Sequence, residues 1–335
     1  MAQQIVVTGA AGFLGGRTAK FLAGEASGYQ VLATSRRSTR KDELERHGCT
    51  FVAGDLEDLR FCRQLAAGTT TIVHCAALSS PWGPHAAFYG ANVTATQHLL
   101  QAALEAGVAR FVLISTPSIY FNYRDRWAVA EEDPLPSPMV NHYASTKYRA
   151  EQMVLEANGR GIQTIALRPR AIIGGEDAVI FPRVLEAYRQ GKLKIIGNGQ
   201  NVVDLTCVRN VIEAIRCCLQ APESALGTAY NITNGAPIKL WDALDYLLRN
   251  LNLTPPTQRV PQQLALWAAG FTEWRTRLLT PDKEPALTRY SVGILSQNFT
   301  LNIEKATHQL GYQPVQTTME GIDEFIQWYQ QAHPK

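Results

Sequence analysis

The chain has 335 residues, 46% of them hydrophobic and 18% charged, with a formal net charge of +3. That length suits one large domain or two closely merged ones, and the apolar share supports a sizeable core and excludes a disordered or tail-bearing chain. A balance this near neutral excludes the basic footprint of a nucleic-acid binder, and no apolar run approaches the roughly 18 residues of a membrane span.

The first apolar stretch, Ile5-Val6-Val7-Thr8, starts close to the N-terminus, so no signal peptide is expected. Cys49, Cys62, Cys75, Cys207, Cys217 and Cys218 show no metal spacing and read as free thiols in a reducing, cytoplasmic compartment. The stretch runs into Gly9-Ala10-Ala11-Gly12-Phe13-Leu14-Gly15. This predicts a buried strand, a tight turn and a helix over Phe13 to Ala23. Gly9 lets the chain reverse, Gly12 lets backbone approach a pyrophosphate, and Gly15 lets the helix pack close to the strand. The free N–H groups of the helix start then face the anion. A ligand-free glycine turn would look the same locally. Its place between a strand and a helix favours a dinucleotide site built from Gly9, Gly12, Phe13, Leu14 and Gly15.

Gln30 to Thr34 reads as a second strand, followed by Ser35-Arg36-Arg37. An NAD site usually offers the ribose a carboxylate here. Two guanidiniums suit a 2′-phosphate instead, so NADP(H) is expected over NAD(H), unless Arg36 and Arg37 simply face solvent. A third strand, Thr50 to Ala53, ends at Gly54-Asp55-Leu56. Asp55 either accepts from the adenine amino group, beside Leu56, or caps the next helix. Thr71 to Ala77 is a fourth strand, whose small end at Ala76-Ala77 leaves room for a flat ligand. His74 within it stands alone, so no metal is expected. A helix over Ala86 to Ala106, a strand over Phe111 to Ser115, a helix over His142 to Asn158 and a strand over Gln163 to Leu167 follow. The alternation predicts a doubly wound parallel α/β sheet of Rossmann type. Gly9, Arg36, Asp55, Ala76 and Thr116 then fall beyond the strands' C-terminal ends, where ligands bind.

Tyr143 and Lys147, four apart, share one helical face. A tyrosine with its reference pKa of about 10 is a poor acid-base group at neutral pH. A nearby ammonium and a positive nicotinamide favour its phenolate. It can then exchange a proton with an alcohol or nascent alkoxide as hydride moves. Thr116 is placed to hold the substrate oxygen, with Ser115 and Ser118 as lesser candidates.

Gly9-x-x-Gly12-x-x-Gly15, Ala76-Ala77, Asn92-Val93-Thr94-Ala95-Thr96, Ser115-Thr116, Tyr143-x-x-x-Lys147 and Leu167-Arg168-Pro169 together resemble the extended short-chain dehydrogenase/reductases. The resemblance covers essentially the whole chain. It implies that Tyr143 is the acid-base residue, that Lys147 binds the nicotinamide ribose and polarises Tyr143, and that Thr116 stands for the catalytic serine or threonine. It places Pro169 and Ile172 beside the nicotinamide and gives Asn92 a part in helix geometry or a proton relay. Dehydratases of the family carry Asp-Glu after the catalytic threonine, where this chain has Pro117-Ser118. Epimerases commonly offer an asparagine after the sixth strand, where this chain has Arg168-Pro169-Arg170-Ala171-Ile172. Ser115-Thr116-Pro117-Ser118, the stretch from Gly197 to Val211, and Leu287-Thr288-Arg289-Tyr290 resemble instead the 3-beta-hydroxysteroid dehydrogenase/isomerase branch. That branch includes sterol dehydrogenases and bacterial 2-alkyl-3-oxoalkanoate reductases. The departures are the end of the second strand and the threonine at 116. The expected activity is NADP(H)-dependent interconversion of a secondary alcohol and a ketone on a sterol-like or long-chain 3-oxo acid substrate. A sugar-nucleotide epimerase with tightly bound NAD and a non-catalytic cofactor sensor are the alternatives. The resemblance also implies a homodimer.

Farther on, helices are predicted over Phe181 to Gln190 and Val208 to Gln220, and Thr228 to Asn231 returns to the main sheet. Residues 1–170 and 195–235 are expected to form the dinucleotide-binding domain, and 171–194 and 236–335 a smaller mixed substrate domain. In 262–279, Leu264, Trp267, Phe271, Trp274 and Leu278 recur at spacings of three and four, off which lie Arg275 and Arg277. Such a stripe is expected first to pack on the small domain's own core, and otherwise to be a lid or a peripheral membrane contact. Trp82, in Ser79-Ser80-Pro81-Trp82-Gly83, is a candidate wall of the substrate cleft or a loop-packing residue.

Overall fold

A computed structural model of the protein describes residues 3–24, 28–280 and 283–334. Seven strands make one all-parallel sheet: β1 Gln3–Thr8, β2 Tyr29–Ser35, β3 Thr50–Ala53, β4 Thr71–His74, β5 Arg110–Ile114, β6 Gln163–Pro169 and β7 Thr228–Ile232. Their order is β7-β6-β5-β4-β1-β2-β3. The winding reverses between β1 and β4, and a crevice opens there at the strands' C-terminal ends. Continuous apolar strands are what a sheet covered on both faces requires. Ile5, Val7, Val73, Val112 and Ile114 enter one core layer and Val6, Ile72, Phe111 and Leu113 the other, with the two-residue period of a strand. Helices α1 Phe13–Leu22, α2 Ala95–Glu105, α3 His142–Glu156 and α4 Val208–Leu219 cover the sheet, α1 and α4 on the first layer, α2 and α3 on the second.

Two local readings change. The fourth strand stops at His74 rather than Ala77, because the Ala76 N–H donates to Thr8 Oγ1 (3.1 Å) instead of joining the ladder. The helix read over Ala86 to Ala106 is interrupted: His85–Phe88 and α2 are joined by a π-helical stretch, Tyr89–Thr94. That wider turn aims Asn92 inward, where Oδ1 accepts from Leu78 N (2.8 Å) and Nδ2 donates to Thr146 Oγ1 (3.1 Å). His74 bonds Thr8 Oγ1 (2.7 Å) and Thr96 Oγ1 (3.0 Å), a purely internal set of contacts. All six cysteines are unpaired, and all but Cys75 are buried.

A second, mixed sheet of four short strands, in the order Ile238–Lys239, Val202–Val203, Phe299–Leu301, Arg126–Val129, forms the smaller layer of the molecule. Helix α5, Gln262–Leu279, forms as its spacing predicts, but it does not bury the expected face. Ala265 and Ala269 pack with Val292 and Ile196, and Thr276 is buried too. Leu264, Phe271, Trp274 and Leu278 are exposed, and Trp267 is 80% exposed. Ala265, Ala269, Thr272 and Thr276 also recur at helical spacing, so period alone cannot choose between two adjacent stripes. The small one wins because alanines permit close approach to the helix Arg289–Ser296, and because Thr272 Oγ1 donates to Leu287 O (2.6 Å). No helix among the described residues is long and apolar enough to cross a membrane.

Candidate active site

The glycine turn after β1 lets backbone segments pack against one another without side chains. Gly9 has φ +69°, and a Cβ there would lie 2.8 Å from Ala76 N; one on Gly15 would collide with the Gly9 carbonyl. Gly12 precedes helix α1 and has no side chain to cap it, so the helix's first amides stay available to an anion. The residues present therefore fit a dinucleotide pyrophosphate. At the end of β2, Arg36 and Arg37 line the same cavity, and Arg36 Nη1 reaches Asp55 Oδ2 only at 3.9 Å, both groups exposed. Asp55 also accepts from Glu57 N (3.0 Å), so it turns the chain after β3 while facing the cavity.

The cavity has a volume of about 1430 Å³. That is larger than the roughly 300–1,000 Å³ of an ordinary small-molecule pocket, room for a cofactor and a second molecule. Gly9, Gly12, Phe13, Leu14, Gly15, Arg36, Arg37, Asp55, Leu56, Ala76, Thr116, Ser118, Tyr143, Lys147, Pro169 and Ile172 all line it. Trp82 does not. Its neighbours Ser79, Ser80 and Pro81 reach the cavity, while the Arg277 guanidinium lies 5.4 Å from the Trp82 ring centroid. The sequence could not foresee that contact, because it joins residues nearly two hundred positions apart. Away from the glycine turn the walls include Leu205, Leu240, Leu244, Val260, Leu264 and Leu295, together with the charged Arg183, Glu186, Lys192, Lys194 and Glu284.

At the reactive end, Asn141 caps α3 by accepting from Ala144 N (2.9 Å), which sets Tyr143, Lys147 and Glu151 on one face at successive turns. Lys147 is 2% exposed, and its Nζ donates to Ile114 O (2.6 Å) at the end of β5. Burial pulls it down to about 8, against the opposing charges of Glu151 and Cys75. Burial pushes the Tyr143 phenol up to about 12, while the Thr116 hydroxyl pulls it the other way. Desolvation is the largest influence on the phenol, and the Thr116 hydroxyl opposes it. Thr116 Oγ1 accepts from Ser118 N (3.2 Å) and donates to Ser118 Oγ (3.1 Å), which meets the Tyr290 hydroxyl at 2.9 Å.

Sequence reasoning missed Tyr290, Arg170 and Glu151 as parts of this site. Tyr290 and Arg170 line the cavity, and Glu151 forms a buried ion pair with Arg168 on β6, Nε to Oε2 at 2.9 Å. Only the i, i+4 spacing of Lys147 and Glu151 could have signalled the last. Among the described residues, no group of three or more His, Cys, Asp or Glu could hold a metal ion.

Residues 5–233 match the NAD dependent epimerase/dehydratase family. Over 328 residues the chain is 34% identical to the 2-alkyl-3-oxoalkanoate reductase of Shewanella oneidensis, covering 94% of this chain and 84% of that protein. Over 301 residues it is 36% identical to 3beta-hydroxysteroid-dehydrogenase/decarboxylase isoform 1 of Arabidopsis thaliana, covering 85% and 69%. The UDP-glucuronic acid 4-epimerase of Bacillus cereus, solved with NAD, shares the fold at a TM-score of 0.76 and 22% identity, over 99% of this chain and 100% of that one. Likeness in sequence to a reductase and a hydroxysteroid dehydrogenase, and in fold to an epimerase, converges with the cavity's geometry on one conclusion: the chain belongs to the extended short-chain dehydrogenase/reductases, similar to their 3-beta-hydroxysteroid dehydrogenase branch, and is an NAD(P)-dependent enzyme.

Proposed function

We propose that the protein is an NADP(H)-dependent oxidoreductase that interconverts a secondary alcohol and a ketone on a hydrophobic substrate, sterol-like or a long-chain 3-oxo acid. The observation that carries this reading is the gathering of Thr116, Tyr143 and Lys147 in the one cavity that the glycine turn and the leucine-lined walls share. Pro169 and Ile172 line the part of the cavity that would hold the nicotinamide, which when bound would supply or take the hydride. In reduction, the Thr116 hydroxyl donates to the carbonyl oxygen and fixes it beside Tyr143. Tyr143, protonated at neutral pH as an ordinary phenol is and more so for its burial, gives its proton to the nascent alkoxide. The Lys147 ammonium stabilises the phenolate that remains. The relatives named for a 2-alkyl-3-oxoalkanoate and a hydroxysteroid support the substrate class. The test is loss of NADPH on a panel of 3-oxoacyl compounds, sterols and aromatic ketones. A protein that purifies with tightly held NAD and epimerises a sugar nucleotide without consuming reductant would overturn the reading.

Arg36 and Arg37 support the preference for NADP(H), since no carboxylate ends β2 and both arginines line the cavity. Replacing both by alanine is expected to raise KM for NADPH by about 10–100-fold, the worth of one or two charge-assisted hydrogen bonds, and to leave KM for NADH nearly unchanged. Steady-state kinetics with the two cofactors reads this directly.

The exposed face of α5 fits delivery of an apolar substrate from a lipid surface. Leu264 belongs both to that face and to the cavity wall, so the apolar stripe runs into the cavity mouth, and Arg275 and Arg277 lie near it for anionic headgroups. Co-sedimentation with phosphatidylglycerol vesicles is expected, and W267S with W274S is expected to weaken it by roughly tenfold or more, through lost apolar burial. Equal binding by the variant would remove this role for α5.

A further inference from the structure

Arg170 directly follows β6 and is 7% exposed. A buried guanidinium is costly unless it is paired. Two residues earlier, Arg168 shows what this fold provides when a buried arginine is structural: Glu151 on Nε and Nη2, and the Tyr120 hydroxyl on Nη1. Arg170 has nothing comparable. Among the described residues its guanidinium makes no hydrogen bond or ion pair, and its Nε is fully buried without a partner. Its Cζ lies 4.7 Å from the centroid of the Phe299 ring, a contact that steadies the cation but leaves its donors unused. Asp204 is the carboxylate nearest in effect. It lines the same cavity and its charge attracts that of Arg170, but it makes no hydrogen bond to the guanidinium: its Oδ2 accepts from Leu301 N (2.8 Å), and burial pushes it up to about 6 against the pull of Arg170.

The cation faces the same cavity as Tyr143, Thr116 and Ser118. Tyr290 stands between: its hydroxyl meets Ser118 Oγ at 2.9 Å, and its phenol bears on the charge of both Tyr143 and Arg170. A planar fork of donors, desolvated and with no hydrogen bond made, is matched by a carboxylate, which it can bind with two parallel bonds.

Resting on the proposed alcohol–ketone chemistry, we infer that Arg170 is the anion anchor of the substrate cleft and binds a carboxylate carried close to the reacting carbon. It therefore selects acids over neutral ketones and alcohols. The same contact orients the substrate, because an acid fixed at one end by Arg170 and at its oxygen by Thr116 has one face left for hydride.

The experiment compares a 2-alkyl-3-hydroxyalkanoate with its methyl ester, both oxidised by the full-length protein with NADP⁺. The acid is expected to exceed the ester in kcat/KM by about 100-fold, the worth of a buried charge-assisted pair. Arg170→Met, which keeps length but not charge, is expected to collapse that ratio toward unity, and Arg170→Lys to restore part of it. If Arg170→Met does not fold, the wild-type ratio still decides. Equal use of acid and ester by the wild type overturns the anchor and leaves the oxidoreductase reading standing. Turnover of neither compound overturns both. A loss of NADP(H) affinity in Arg170→Met, with the acid preference intact, assigns the arginine to the dinucleotide and overturns the anchor.

Discussion

Tyr143→Phe is expected to lower kcat by about a thousandfold, within the range that a positioned acid-base group supplies, while KM for NADPH stays nearly constant. The substitution removes one oxygen from a half-buried ring, so the cavity keeps its shape and the dinucleotide cradle at Gly9, Gly12 and Gly15 is untouched. The loss falls on the transition state, because the proton moves only as the alkoxide forms. Thr116 and Ser118 remain within hydrogen-bond distance of each other and sustain a residual rate by polarising the carbonyl. Near-normal turnover by the phenylalanine variant, measured in single-turnover experiments to exclude a slow product release, would end the proposed mechanism.

Glu151→Ala is expected to cost about 3–5 kcal/mol of stability, read as a lower urea midpoint, because it strands the Arg168 guanidinium in the core. The pair has little solvent access, 6% for the arginine side chain and none for the glutamate. Tyr120 and the Glu131 carbonyl contact the same guanidinium but bring no counter-charge. The gentler Glu151→Gln separates this structural part from an electrostatic one. Lys147 carries its proton only below about 8, and Glu151 is the largest influence holding it up against burial. Above that pH the ammonium is lost, the phenolate left by Tyr143 loses its counter-charge, and kcat/KM for reduction is expected to fall. Removing the Glu151 charge moves that falling limb to lower pH. A limb that stays in place would show that Glu151 serves stability alone. The readout is the pH profile of kcat/KM, which reports groups of the free enzyme.

These two variants act on a column that starts as simple periodicity. Tyr143, Lys147 and Glu151 are four apart on α3, and that much is written in the chain. Nothing local says that the third step meets Arg168, because the meeting depends on α3 lying against β6. The same division applies to α5. Its helix was legible from either stripe, yet the aromatic one faces outward and Ala265 and Ala269 face inward, a choice made by the neighbouring helix Arg289–Ser296.

By itself the sequence determined whatever depends on neighbours a few positions apart. It set the β-branched run of β1, the glycine spacing that follows it, the parallel alternation of strands and helices, and the Tyr143–Lys147 pair, because backbone sterics and helical pitch act over short range. Only the tertiary structure decided which distant groups share a wall: Tyr290 beside Ser118, Trp82 under Arg277, Arg126–Val129 recruited into the mixed sheet, and Arg170 buried with its Nε left without a hydrogen-bond partner. Those outcomes depend on desolvation and on long-range packing, which no stretch of chain carries alone.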